Sequence, residues 1–82
     1  MSILKVSIRQ IKAARALLEW SQERLAEEAG VSVPTIKRLE AEGGMLGGRS
    51  DTAEKIRAAL EAGGIEFTNG NRPGVRLNKQ PG

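Results

Sequence analysis

The stretch that decides the fold is SQERLAEEAGVSVPTIKRLE, which covers residues 21–40. Leu25, Ala26 and Ala29 form an apolar stripe at helical spacing, and a second stripe follows Gly30. Gly30 allows the positive φ that a sharp turn between two helices often requires. The stretch therefore predicts two short amphipathic helices that pack on each other across a tight turn, a helix-turn-helix arrangement.

Three predicted helices begin with the same signal, a serine that can cap the free backbone N–H groups of the first turn. The capping serines are Ser7, Ser21 and Ser32. An apolar residue precedes each one, and Trp20 is expected to pack against Leu25 as a structural residue rather than to stack on a base. These signals predict helices over about residues 8–19, 22–29 and 33–41.

The remainder of the chain adds a fourth helix and a hairpin. Glycines flank residues 45–46 without a preceding strand or a following GK[ST], so we interpret this segment as a linker rather than a phosphate loop. Acidic residues then favour the start of a helix over 51–62. Beyond it, apolar and polar residues alternate on both sides of a turn, which predicts a β-hairpin. Residues 1–63 thus form the helical domain, 64–78 a hairpin in the same compact unit, and 79–82 a frayed tail.

The predicted hairpin needs a surface to cover, because two strands alone are marginally stable in water. Its apolar side consists of Ile65, Phe67, Val75 and Leu77. This side can pack on the chain's own helices or on a second copy of the chain. The pattern leaves both arrangements open.

Composition excludes several classes of site. The 82 residues contain neither cysteine nor histidine, so disulfides, thiol chemistry and imidazole metal ligands or bases are excluded. We also see no convergent carboxylate cluster, so we expect no enzyme, no cofactor and no metal. The first residues lack a signal peptide or membrane span, which predicts a cytoplasmic protein with no membrane partner. The small size favours an oligomer.

The charge distribution permits a polyanion partner without requiring one. The net charge is +3 and the pI is about 9.8. However, residues 21–42 carry three basic and five acidic side chains, a local net charge of −2. Contacts with nucleic acid must therefore come from Lys37 and Arg38 and from flanking cations such as Arg9 and Lys12.

With these residues in view, residues 7–62 resemble the lambda-repressor-like family of helix-turn-helix regulators, also called Cro-like or xenobiotic-response-element type. The resemblance is carried by Gln22, Leu25, Ala26, Ala29, Gly30, Val31, Ser32, Thr35, Ile36, Leu39 and Glu40. It implies a mainly α fold, a lambda-repressor-like bundle, here of four helices with a C-terminal β-hairpin. It also implies a DNA-binding transcriptional regulator, and we expect a homodimer on paired half-sites of double-stranded DNA.

Two charged residues lie on the inward side of their helices. Arg15 follows Ile11 by four positions, and Glu40 follows Ile36 by four. Because an unpaired buried charge is very costly, we predict a bidentate structural ion pair between them. The resemblance implies the same pair. The alternative is two surface charges whose stems lie along the core.

The third helix is expected to enter the major groove, with the second helix across the phosphate backbone. Arg38 can bind guanine in bidentate fashion, Thr35 can contact a base or phosphate, and Val33 and Pro34 offer apolar contacts. The resemblance implies a phosphate contact for Gln22. The predicted DNA-binding residues are Arg9, Lys12, Gln22, Val33, Pro34, Thr35, Lys37 and Arg38. For each, the alternative is a solvated surface side chain.

A second function remains open at this point. Glu23, Glu27 and Glu28 make the second helix acidic. This bias favours an antitoxin or phage-type accessory protein whose helix-turn-helix domain mainly binds a protein partner.

Overall fold

The computed structural model describes residues 6–44, 51–68 and 73–78 of the chain. Four helices are followed by a two-stranded antiparallel sheet within these ranges. The elements are α1 (Ile8–Leu18), α2 (Gln22–Ala29), α3 (Val33–Glu42), α4 (Asp51–Ala62), β1 (Ile65–Thr68) and β2 (Gly74–Leu77). The predicted fold class, a mainly helical helix-turn-helix bundle with a C-terminal hairpin, is confirmed.

The capping serines explain why the first three helices begin where they do. The Ser7 hydroxyl accepts from the Gln10 backbone N–H at 3.1 Å, and the Gln10 side-chain oxygen accepts from the Ser7 backbone N–H at 2.9 Å. Ser21 and Ser32 likewise accept from the backbone N–H three residues later. Each cap satisfies a donor that has no partner inside its helix.

The ends of α1 and α3 differ from the predicted ends by one residue, and those of α2 and α4 agree with them. Glu19 takes the left-handed conformation, with φ 56°, so α1 ends at Leu18 and the predicted end at Glu19 was wrong. The third helix continues to Glu42, one residue beyond the predicted end. Gly30 has φ 74°, as the turn between α2 and α3 requires. The predicted linker at 45–48, residues 69–72 of the turn predicted over 69–74, and the tail at 79–82 lie outside the described residues. Gly74, at the end of the predicted turn, instead begins β2.

The core draws on all four helices and the first strand. Its largest fully buried side chains are Val6, Leu25, Ile36, Ile56 and Leu60. The second helix packs on both α3 and α4, and α1 also contacts α3. Small residues permit the close crossings, since Ala26 is buried within α2. The helix-turn-helix unit is therefore held against two supporting helices.

The hairpin packs on the chain's own core. Ile65 pairs with Leu77 and Phe67 with Val75 across the strands. Ile65 and Phe67 are buried among the helices, with β1 against α4 and β2 against α1. Leu77, however, remains 41 % exposed, so the predicted apolar side of the hairpin is covered only in part. Most of this side thus completes the core of a single chain.

Membrane insertion has no candidate among these elements. Within the described ranges, no helix is both long enough and apolar enough to span a bilayer.

Candidate nucleic-acid interface

The outer side of α3 is exposed within the part of the chain that the structure describes. Its inner side packs against α2 and α1 through Ile36, which is buried, and Leu39, which is half-buried. Pro34, Lys37 and Arg38 are exposed. The two ion pairs found in the described part of the chain use other residues, so both cations of α3 are available to a partner. The hairpin packs on α1 and α4, away from this surface.

Two residues of the first turn of α3 are less open than the sequence indicated. Val33 is half-buried and packs against the core, because a side chain at a helix start leans back over the preceding turn. The prediction that it points freely outward was therefore wrong in part. The Thr35 hydroxyl oxygen lies 2.8 Å from the Ser32 hydroxyl oxygen, and one donates to the other. Thr35 is half-buried as well.

Arg15 and Glu40 lie at the junction of α1, α2 and α3. The Arg15 Nε donates to Glu40 Oε2 at 2.9 Å, and Arg15 Nη2 donates to Glu40 Oε1 at 2.8 Å. Arg15 Nη1 donates to the Trp20 carbonyl oxygen at 3.0 Å. Gln22 Nε2 donates to Glu40 Oε1 at 3.0 Å. These four groups are called the Arg15–Glu40 network below.

The network keeps both of its charges. Burial of the Glu40 side chain opposes ionisation, but hydrogen bonds from Arg15 and Gln22, together with the charges of Arg15 and Lys12, lower the pKa of Glu40. The hydrogen bond to Glu40 raises the pKa of Arg15 against the opposing effect of burial. The ionised forms therefore stabilise each other, and the bidentate geometry sets the angle between α1 and α3.

Gln22, the predicted phosphate contact, thus belongs to a structural network. Its side chain is half-buried, and its amide N–H group faces Glu40. Nothing in the sequence spacing of 18 residues indicates this bond. It became visible only once α2 and α3 were packed together.

The two flanking cations occupy different places on α1. Arg9 is exposed at the rim of an open cleft of about 640 Å³, which is also lined by Gln10, Gly44 and Pro73. Gly44 lies just past the C-terminal end of α3, so Arg9 is remote from Pro34 and Thr35 at the other end of that helix. Lys12 is exposed, and its charge acts on Glu40.

Arg24 has interactions that we did not predict. Its Nε donates to Glu28 Oε2 at 2.8 Å, and its guanidinium carbon lies 4.9 Å from the centre of the Trp20 ring. The sequence could have indicated this ion pair, because Arg24 and Glu28 are four residues apart on one helix and therefore lie on the same face. Trp20 itself is half-buried against the core, as expected of a structural residue. Glu23 and Glu27 stay exposed on the same helix.

No metal centre was found among the described residues. The residues at 6–44, 51–68 and 73–78 contain no group of three or more acidic, histidine or cysteine side chains placed to hold an ion.

A family model described as helix-turn-helix matches residues 11–49, which include all of α2 and α3 and most of α1. A search of curated proteins found no relative.

Proposed function

We propose that the chain is a sequence-specific transcriptional regulator that reads the major groove with α3. The premise is its family, because residues 11–49 belong to the lambda-repressor-like, Cro/C1-type helix-turn-helix family. The members of this family are DNA-binding regulators rather than enzymes. The observation that carries the proposal is the exposed outer side of α3, whose two cations take part in neither of the ion pairs found among the described residues. A helix presented in this way fits the major groove.

The residues that α3 offers to DNA have distinct roles in this proposal. Arg38 forms the main base contact, because its planar guanidinium can bind O6 and N7 of guanine together. Pro34 and the accessible part of Val33 contact thymine methyl groups, and Thr35 contacts a base or phosphate. Lys37 neutralises a phosphate. The start of α2, with Gln22 and its backbone N–H groups, lies on the phosphate backbone.

A single copy offers few contacts, so the proposal includes a dimer. The described outer surface of α3 has no asparagine or glutamine to read adenine. Two copies on half-sites about 34 Å apart double both the base contacts and the phosphate contacts. We expect the protein to act in the cytoplasm, where a regulator of this kind meets its DNA. A dimer predicts a steep loss of affinity with added salt.

The test is a titration of fluorescent duplexes with random sequence at two salt concentrations, followed by selection of preferred sites. The Arg38→Ala variant should relax base preference at one position of each half-site by about 1–3 kcal/mol. Arg76→Ala is the matched control, because Arg76 is also exposed but lies on the hairpin. An unchanged preference in Arg38→Ala would contradict the assignment of α3.

The exposed acidic side chains of α2 favour a second candidate. Glu23 and Glu27 lie one helical turn apart and are exposed, so they suit a basic protein surface. In this alternative the chain is an antitoxin or phage-type accessory protein. This alternative predicts that replacing both glutamates by glutamine abolishes the complex with the protein partner. Tight binding of duplex DNA by the wild-type chain without a partner would favour the regulator instead.

A further inference from the structure

The side-chain amide of Gln22 donates to a buried carboxylate, although the residue itself is only half-buried. The acceptor is Glu40 Oε1, at 3.0 Å. A glutamine amide carries two N–H donors. One donor is used within the described part of the chain, which leaves the second for an acceptor outside the fold.

Glu40 determines which way this amide faces. Its side chain is only 6 % exposed, and both of its oxygens already accept hydrogen bonds from Arg15. An ionised carboxylate can only accept, so the Gln22 amide must present its NH₂ group, rather than its oxygen, to Glu40. The hydrogen bond to Glu40 thereby fixes the orientation of the Gln22 amide, which could otherwise rotate.

The same carboxylate connects the two helices that are proposed to contact DNA. Arg15 bonds Glu40 and also the Trp20 carbonyl, which precedes the N-cap of α2. On the other side, Glu40 follows Arg38 by two residues on α3. The Glu40 carboxylate therefore connects the start of α2 with α3, the helix proposed to read the bases.

We propose that Glu40 is a positioning residue for DNA binding, which holds the Gln22 amide so that its second N–H donates to a backbone phosphate. This inference rests on the proposed function. Glu40 lies on the inner side of α3 and makes no contact with DNA in this proposal. Its removal should abolish the Gln22 contact even when Gln22 is still present.

A double-mutant cycle on random-sequence duplex DNA tests the proposal. Gln22→Ala should weaken binding of the wild-type chain by about three- to tenfold, the usual worth of one hydrogen bond. In a Glu40→Gln background the same change should have little further effect, because the ionised acceptor is gone and the one remaining side-chain oxygen is needed by the Arg15 guanidinium. An equal loss of affinity in both backgrounds would overturn the proposal. It would mean that Glu40→Gln and Gln22→Ala act independently, so that their effects on the free energy of binding simply add.

Glu28→Gln is the matched control for charge. It removes one negative charge from α2, but Glu28 is 41 % exposed and bonds Arg24 instead of Gln22. In that background Gln22→Ala should keep its full effect. If the effect disappears there as well, the loss of charge explains the cycle and the proposal fails.

A measurement on the wild-type chain covers the case in which Glu40→Gln does not fold. Nuclear magnetic resonance should show one Gln22 side-chain amide proton that exchanges slowly with water, and contacts from that amide to the Glu40 γ protons. Fast exchange of both protons without these contacts would overturn the positioning role. Failure of the wild-type chain to bind any duplex at low salt overturns the proposed function instead, and this inference with it.

Discussion

Two glutamines hold two ends of this molecule in different ways. Gln10 joins α1 to the turn end of the hairpin, where its amide donates to the Thr68 carbonyl at 3.0 Å and to the Gly74 carbonyl at 2.8 Å. Its own oxygen accepts from the Ser7 backbone N–H. Gln22 joins α2 to α3 through a single bond to a carboxylate.

The difference between them is that Gln10 is a purely structural residue, whereas Gln22 keeps a hydrogen-bond donor for a ligand. Gln10 is only 5 % exposed and uses both N–H donors and its oxygen inside the fold. Gln22 is half-buried and uses one donor, against a charged partner. A side chain whose hydrogen-bonding groups are all satisfied internally has nothing left for a ligand. We therefore propose that the binding surface lies at the Gln22 end and that the Gln10 end serves stability.

The largest expected effect is on the charged partner of the Gln22 end. Arg15→Ala leaves the Glu40 carboxylate buried without its ion pair, which should lower the free energy of unfolding by about 3–5 kcal/mol. Urea unfolding followed by circular dichroism measures this loss. Arg24→Ala removes an exposed ion pair and should cost less than about 1 kcal/mol. Equal midpoints for Arg15→Ala and wild type would show that the network does not stabilise the fold.

The next effect tests the two glutamines against each other. Gln10→Ala removes three hydrogen bonds from a buried site and should lower the free energy of unfolding by about 2 kcal/mol. Gln22→Ala should cost less than about 1 kcal/mol but should weaken DNA binding. Hydrogen exchange should also quicken in β1 and β2 of Gln10→Ala alone. If Gln10→Ala weakens DNA binding of the folded chain more than Gln22→Ala does, the division between the two ends is wrong.

The smallest effect is on pH dependence. The pKa of Glu40 is lowered in the folded chain, so its contribution to stability is complete above the ordinary glutamate value of 4.5 and is lost as the pH falls through the folded pKa. In Arg15→Ala the buried carboxyl lacks its guanidinium and is easier to protonate than in wild type.

Unfolding of both proteins between neutral pH and pH 3 checks this prediction. The difference in stability between wild type and Arg15→Ala should shrink as the pH falls. A constant difference would mean that the charge of Glu40 is not what Arg15 stabilises.

Much of the fold could be predicted because its signals are local. The capping serines, Gly30 and the alternation in the strands act over a few residues, so the helices and the hairpin were found within about one residue where the structure describes them. Helical spacing also predicted that Arg15 and Glu40 face inward. The partial burial of Val33 was missed, because it depends on how the turn before α3 packs on the core.

The order and type of the elements follow from the sequence alone, since each backbone segment takes its conformation from side chains within one turn of it. Only the tertiary structure decided that the hairpin covers this chain's own helices and that Gln10 bonds carbonyls 58 and 64 residues away. It also decided that Gln22 meets Glu40 across two helices. Such contacts join residues whose separation along the chain carries no periodic signal, and they exist only where packing of the core brings the helices together.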